Sequence, residues 1–488
     1  MKNKLDKFFK ISERGSNIKT EIVAGLTTFF AMAYIVVTNP NQVVGFMNYE
    51  KAVELNFAPI WNAVYIASIL VAVIGTLLYA FYARMPFAQA CGMGLNSFFF
   101  TSFILPSVVF DPTTGYVIGT NGTEISQYQK GLFIILLSGV LFLILSITGL
   151  RKYIATSLPD CLKKAIPAGI GLFIAFIGFK NVGIIQANQY TFVQLFDFHG
   201  AIDGQDFFDA WCDIAPVVLA LLGLFAIAVL EKFNVKASII LTIFGVTVLY
   251  YLTTWQLPEF DLAMIGQSFK DFGEYGFVKA FEGYEVFVGG FAVVLEAVVL
   301  IITFTLVDMF DTIGTLYGAA SQADMLDENG DPLEIDKSMA CDSVATLSGA
   351  LLGTSTCTTF VESASGVAAG GRTGLTSLVT ALCFAVCLFL SPVAAIVPAC
   401  ATAPALIFVG VLMLKGFAKV DMSDITQAVP AFLALVMMPL TYSISNGIAI
   451  GAIAYTIITL AKGQFKKKDI VVAIIAVLFA LRFALVTY

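Results

Sequence analysis

Residues 355–374 read STCTTFVESASGVAAGGRTG, a run of small and polar residues with a carboxylate, Glu362, near its middle, set between stretches apolar enough for a bilayer. A charge at bilayer depth costs roughly 2.5–3.5 kcal/mol even on the lenient insertion scale, so it persists only where it faces a cavity or a partner. The β-prone TCTTFV suits extended backbone. The stretch therefore predicts an interrupted span: an extended piece over Thr354–Val361, then a half-helix from Glu362 to Gly371. That half-helix is about ten residues or roughly 15 Å long, half of a hydrocarbon core of about 30 Å. Irregular backbone at this depth is tolerated only when it is buried in protein or lines a cavity.

The whole chain agrees with a membrane setting, since 58% of its 488 residues are hydrophobic and 12% charged. The formal net charge of -7 says little about partners, because sign matters loop by loop, and nothing points to nucleic acid. The eight cysteines form no C-x-x-C pair and read as reduced, buried thiols. Residues 1–19 are basic and are followed by an apolar run too long for a signal-peptide core, so they read as a cytoplasmic tail.

Apolar segments of near-span length recur at Thr20–Thr38, Asn62–Tyr82, Gly131–Leu150, Ala165–Phe179, Ile214–Leu230 and Ala237–Leu252. A later set covers Glu296–Ala319, Ser338–Leu352, Leu375–Leu390, Ala403–Phe417, Ile425–Tyr442 and Asn446–Ala461, with Ile470–Val486 as an additional C-terminal helix. Two stretches, Pro86–Leu105 and Ser355–Gly371, are too polar or broken for simple spans and count as the third and tenth of fourteen. With the N-terminus inside, Lys2 to Lys19, Arg84, Arg151, Lys152, Lys163, Lys164, Lys232, Lys236, Lys337, Arg372, Lys415 and Lys419 share one side. The loop 181–213 on the other side holds five aspartates and no Lys or Arg.

The fourteen divide into sevens that resemble one another: IPAGIGLFIAFIGFKNV from Ile166 reads like APALIFVGVLMLKGFAKV from Ala403, and the stretch from Val71 like that from Val344. Seven is odd, so the second copy runs inverted, an architecture in which substrate sits near the midplane between discontinuous helices. Met85–Ala90 is the counterpart of Thr354–Val361, and the two extended pieces can pair. Residues 20–255 form the first repeat and 284–462 the second, with 469–487 beyond them. The plainer alternative is Gly-rich helix packing without breaks, for which Gly92, Gly94, Gly366, Gly370 and Gly371 are suited.

The eighth segment, ITFTLVDMFDTIGTLYG, sets Asp308, Asp311 and Thr315 on one helix face. With Glu362 these make three carboxylates with no Lys or Arg at comparable depth, which disfavours an anionic substrate and favours one offering N–H donors. Asn96, Thr358, Thr359 and Ser363 add donors and acceptors, while Phe87, Phe98, Phe99 and Phe360 supply flat apolar faces. A planar heterocycle fits that inventory, and Glu362, Asp311 and Asp308 are the candidates for exchanging a coupling proton. For Asp308 a helix–helix hydrogen bond is the competing reading. The acidic run from Asp327 misses calcium-loop spacing, and His199 reads as a solvated bystander. No metal cluster, other cofactor or nucleophile–base pair is evident, so an enzyme is not expected.

GLTTFFAMAYIVVTNP, PFAQACGMGLNSFF, VDMFDTIGTLYG and TCTTFVESASGVAAGGRTGL, in that order along the chain, resemble the AzgA-like purine permeases of the xanthine/uracil permease superfamily of nucleobase:cation symporters. The resemblance implies an all-α polytopic fold of fourteen transmembrane segments as a 7+7 inverted repeat. It also implies a core domain (20–150 plus 290–392) and a gate domain (163–255 plus 403–462). Substrate is then expected between the third, eighth and tenth segments, with Glu362 and Asp311 as the substrate acids and Asn96 ending the family's GMGLN. Thr315 stands where uracil-type relatives carry histidine, which fits a purine carrier. The implied activity is proton-coupled import of hypoxanthine, guanine or adenine across the plasma membrane, with no cofactor but the proton, and a homodimer as an open expectation. The rivals are a uracil or xanthine carrier and an anion exchanger or channel on the same scaffold.

Overall fold

Apolar runs of membrane length become helices here because lipid leaves each backbone N–H and C=O to be satisfied within its own segment. The computed structural model describes residues 2–45, 49–110, 117–148, 159–188, 191–203, 206–235, 237–256, 258, 260–322, 325, 332–360 and 362–485. Arg151, Lys152 and Lys236 of the charge count, Val361, and residues 327–331 of the acidic run lie outside the described residues.

The chain begins with α1 (Lys2–Phe9), α2 (Ile18–Met32), α3 (Ile35–Val43), α4 (Tyr49–Glu54) and α5 (Ala58–Leu78). A short strand, β1 (Gln89–Cys91), leads into α6 (Met93–Phe99). The hairpin β2 (Val108–Phe110) and β3 (Val117–Thr120) precedes α7 (Glu124–Thr148) and α8 (Asp160–Asn181). A second hairpin, β4 (Ile185–Asn188) and β5 (Phe192–Leu195), precedes α9 (Phe207–Lys232), α10 (Ser238–Thr254) and α11 (Ala263–Asp271). Then come α12 (Phe291–Gln322), α13 (Ile335–Leu352), β6 (Cys357–Thr359), α14 (Ser363–Ala368) and α15 (Gly374–Cys387). The chain closes with α16 (Ser391–Ala395), α17 (Ala399–Leu414), α18 (Ile425–Leu440), α19 (Ile444–Ala461) and α20 (Ile470–Leu485).

Among the described residues, eight helical runs are long and apolar enough to cross a membrane, and α10, α15, α18 and α20 are shorter apolar helices. Phe225, Phe244 and Val386 stand exposed on such helices, as lipid-facing side chains do. The chain is thus a mostly helical, multi-pass membrane protein.

Two packing groups are distinguishable. In one, α5 packs on α3, α13 and α15, α2 on α14 and α15, and α7 on α12 and α13. In the other, α8 packs on α17 and α18, α18 on α19, and α9 on α10 and α17. Helix α12 touches both, meeting β6 and α14 on one side and α8 and α20 on the other.

Within the first group, Glu21 of α2 is fully buried at the start of α15. It accepts from the N–H groups of Arg372 (2.9 Å) and Thr373 (3.2 Å) and from the hydroxyls of Thr373 (2.8 Å) and Thr376 (2.7 Å). A carboxylate there satisfies N–H groups that have no partner inside a helix and complements the positive end of its dipole.

Candidate functional site

Gly353 ends α13 in the left-handed conformation (φ +99°), and the N–H of Thr354 returns to the Gly349 carbonyl at 2.8 Å. This closing turn stops the helix and throws the chain into β6. A second such turn ends α14: Gly370 (φ +101°) donates to Val367 O at 3.0 Å and Gly371 to Gly366 O at 3.0 Å. The half-helix therefore closes at Ala368, short of the Gly371 boundary expected from the sequence.

Strands β1 and β6 pair antiparallel with Gln89 opposite Thr359, Ala90 opposite Thr358 and Cys91 opposite Cys357. Bonds from Gly92 N–H to Thr356 O (3.1 Å) and from Phe360 N–H to Ala88 O (3.0 Å) flank the pair. Alternation then makes Ala90/Thr358 a hydrogen-bonded pair and Gln89/Thr359 and Cys91/Cys357 non-hydrogen-bonded pairs. A two-stranded ladder has two free edges, and each is closed by a threonine of the preceding helix. Thr76 Oγ1 accepts from Gln89 N–H (3.0 Å) and donates to Gln89 O (3.3 Å). Thr346 Oγ1 stands in the same relation to Cys357, at 3.1 Å from both N and O.

Successive side chains of a strand point to opposite faces. Thr358 turns to α12, where its hydroxyl donates to Asp311 Oδ2 at 3.4 Å. Thr359 turns the other way, to Asp342 of α13 and Tyr79 (2.6 Å between hydroxyls), and so away from Asp311.

The acids differ in how far protein donors occupy them. Glu362, at the N-cap of α14, accepts from the Tyr34 hydroxyl through Oε1 at 2.8 Å, while no partner meets Oε2 among the described residues. Asp311 is similar: Thr358 meets Oδ2 and nothing meets Oδ1 among the described residues. Asp308 is fully buried, with Oδ2 bonded to the Thr346 hydroxyl at 2.8 Å and Oδ1 without a partner among the described residues. Asp342 is buried and surrounded: Thr312 (2.6 Å), Tyr79 (3.2 Å), Thr359 N–H (3.2 Å), the Thr359 hydroxyl (3.0 Å) and Gln89 Nε2 all donate to it. Glu362 and Asp311 thus retain acceptor capacity for a ligand, and Asp342 does not.

Asn96 is likewise committed internally. Its amide donates to Asn39 Oδ1 and Gln42 Oε1 and accepts from the Ser355 hydroxyl, so it ties α6 to α3 and to the start of β6. Ser363 Oγ accepts from Ala88 N–H at 3.0 Å, and Thr315 Oγ1 donates to backbone carbonyls of Asp311 and Thr312. Phe87 is fully buried edge-on to Tyr79, with ring centroids 5.8 Å apart, and Phe360 is nearly buried beside the paired strands. Tyr34 and Asp342 were not singled out in the sequence. Asp342 lies only four residues into the Ser338–Leu352 segment, so it lacks the depth that marked Asp308.

Among the described residues no three His, Cys, Asp or Glu side chains gather as ligands for a metal ion. A separate cavity of about 650 Å³, lined by Asn181, Gln186, Asp197, Asp213 and Tyr250, lies at the β4–β5 hairpin and contains none of the acids above.

A sequence profile described as a permease family (Xan_ur_permease) matches residues 19–450. The chain is 36% identical over 482 residues to the guanine/hypoxanthine permease PbuO of Bacillus subtilis (strain 168), covering 96% of this chain and 98% of that one. It is 35% identical over 491 residues to the adenine permease AdeQ of Escherichia coli (strain K12), covering 99% and 96%. Among solved structures it resembles the transmembrane domain of a cyanobacterium bicarbonate transporter, BicA, with TM-score 0.56 at 14% identity over 88% of this chain and 97% of that one. It also resembles SLC26A9, with TM-score 0.55 at 12% identity over 95% and 70%. At such identities the likeness is one of fold alone.

Proposed function

The chain belongs to the xanthine/uracil permease family and is a transporter rather than an enzyme, and on that premise we propose that it imports purine nucleobases. The observation that carries this reading is the pair of half-committed acids, Glu362 and Asp311, flanking β6. A purine offers ring and exocyclic N–H donors to acceptor-only carboxylate oxygens, and its flat face suits Phe360 and its neighbours. Relatives named for adenine and for guanine/hypoxanthine favour those purines over uracil or xanthine, and Thr315 in place of a histidine fits a purine rather than a pyrimidine carrier.

Coupling to protons is part of the proposal. Among the described residues Asp308 has a buried oxygen with no partner, and Glu362 and Asp311 each keep an oxygen open, so these three acids are the candidates to gain and lose a proton as substrate comes and goes. The α2–α7 and α12–α15 group would serve as the core, 20–150 plus 290–392, and the α8–α10 and α17–α19 group as the gate, 163–255 plus 403–462. Alternating access then follows from movement of one against the other, in fourteen spans arranged as two inverted sevens. We further propose a plasma-membrane location with the N-terminus in the cytoplasm. No cofactor beyond the proton is invoked, and self-association as a homodimer is left to measurement.

Uptake of labelled hypoxanthine and adenine into cells lacking purine permeases, with competing bases and with a protonophore, tests the whole reading. Glu362→Gln should lower uptake at least about tenfold while membrane levels hold, the scale of losing a hydrogen bond to a charged group. Retained uptake with unchanged affinity rejects the site. Competition by uracil or xanthine but not hypoxanthine selects the rival carrier, and sulfate uptake selects the anion exchanger.

A further inference from the structure

We propose that Asp342 is a positioning residue that locks β1 and β6 in register and thereby sets where Thr358, Phe360 and Glu362 stand for the substrate. What the site binds rests on the nucleobase reading above; the strand geometry does not. Gln89 and Thr359 are cross-strand partners, and both bond Asp342. The same carboxylate takes Thr359 N–H, the Tyr79 hydroxyl beyond α5 and the Thr312 hydroxyl of α12. One side chain of α13 thus joins both strands to the two helices that wall them. Every donor is neutral, and among the described residues no ion pair includes Asp342.

The need for such a lock follows from the length of the strands. Three residues provide few ladder bonds, and a slip of one residue turns every side chain to the opposite face. After that slip Thr359 would face Asp311, and Thr358 would face α13. Only the observed register lets Gln89 and Thr359 meet one carboxylate. An asparagine at 342 cannot substitute, because its NH₂ group would confront donors that already converge there.

The test uses the full-length chain with Asp342→Asn and the milder Thr312→Val. Asp342→Asn should raise the KM for purine uptake about tenfold or more, with Vmax per transporter within about threefold and the pH profile unmoved. Thr312→Val should shift KM in the same direction by less. An unchanged KM overturns the proposal, as does a displaced pH profile at constant KM, which would make Asp342 a proton carrier.

A second readout needs no substrate. Cys91 and Cys357 face each other at a non-hydrogen-bonded position, where side chains come closest. Diamide takes the two thiol hydrogens, becoming the hydrazine, as the sulfurs join in a disulfide that peptide mass spectrometry quantifies. The yield should be high in the wild type and clearly lower in both variants; equal yields overturn the register lock. If Asp342→Asn fails to accumulate, Thr312→Val decides on both readouts. If the wild-type chain takes up no purine, the functional reading fails while the disulfide yield still decides this one.

Discussion

One oxygen of Glu362 is held by Tyr34 and the other meets no partner among the described residues, so the tyrosine fixes the carboxylate without occupying it. Tyr34→Phe keeps the ring and removes only that bond. Substrate affinity should fall about tenfold, with transporter abundance unchanged, as read from the KM of uptake against immunoblotted membrane protein. An unaltered KM would show that the tyrosine merely fills space. Glu362 and Asp311 were legible in the sequence because an ionisable group inside an apolar run is costly whatever surrounds it. Tyr34, within FFAMAYIVV, was not: an aromatic among apolar residues reads as packing, and only the fold reveals which acid its hydroxyl meets. Asp342 lies about one helical turn inside its segment, where an acid reads as interfacial. The choice between Thr358 and Thr359 was beyond the sequence too, since adjacent strand residues exchange faces with a one-residue shift in register.

The interrupted elements depend on satisfied edges. Thr76 and Thr346 each serve both backbone groups of one strand residue, Gln89 and Cys357. Valine at either position is nearly isosteric but bonds neither group. Thr76→Val should therefore cost about 1–3 kcal/mol for each group left buried and unpaired, seen as a Tm several degrees lower in detergent. Thr346→Val should cost more, because Asp308 would lose the hydroxyl at its Oδ2 as well. A Tm unchanged in both would mean that water or lipid headgroups reach the edges. At this scale the long helices were legible from length and apolarity alone. The hairpins β2–β3 and β4–β5 were not, because loops outside the bilayer carry no length constraint and their strands are three or four residues long. The half-helix ended early for a local reason, the left-handed turn at Gly370.

Across the whole molecule, the C-terminal helix has a definite path. Arg482, near the end of α20, is almost fully buried and reaches Ser445 Oγ (3.3 Å) and Asn446 Oδ1 (3.2 Å) at the start of α19 and Glu296 (3.4 Å) near the start of α12. Helix α19 is 18 residues long, about 27 Å at 1.5 Å per residue, so its two ends lie near opposite faces of a bilayer. Lys462, Lys466, Lys467 and Lys468 mark the far end of α19, where α20 begins. A helix that starts beside those lysines and ends beside Ser445 must return along α19, and α20 does pack on it. A surface-lying helix could not bring Arg482 to that place. We therefore predict that α20 crosses the membrane and that its end faces the side opposite the lysines. With the N-terminus in the cytoplasm as proposed, the positive-inside rule places the lysines there too, so alkaline phosphatase fused after Tyr488 should be active and a green fluorescent protein there dark, with the reverse pattern after Gln464. The same pattern at both positions would mean that α20 does not cross.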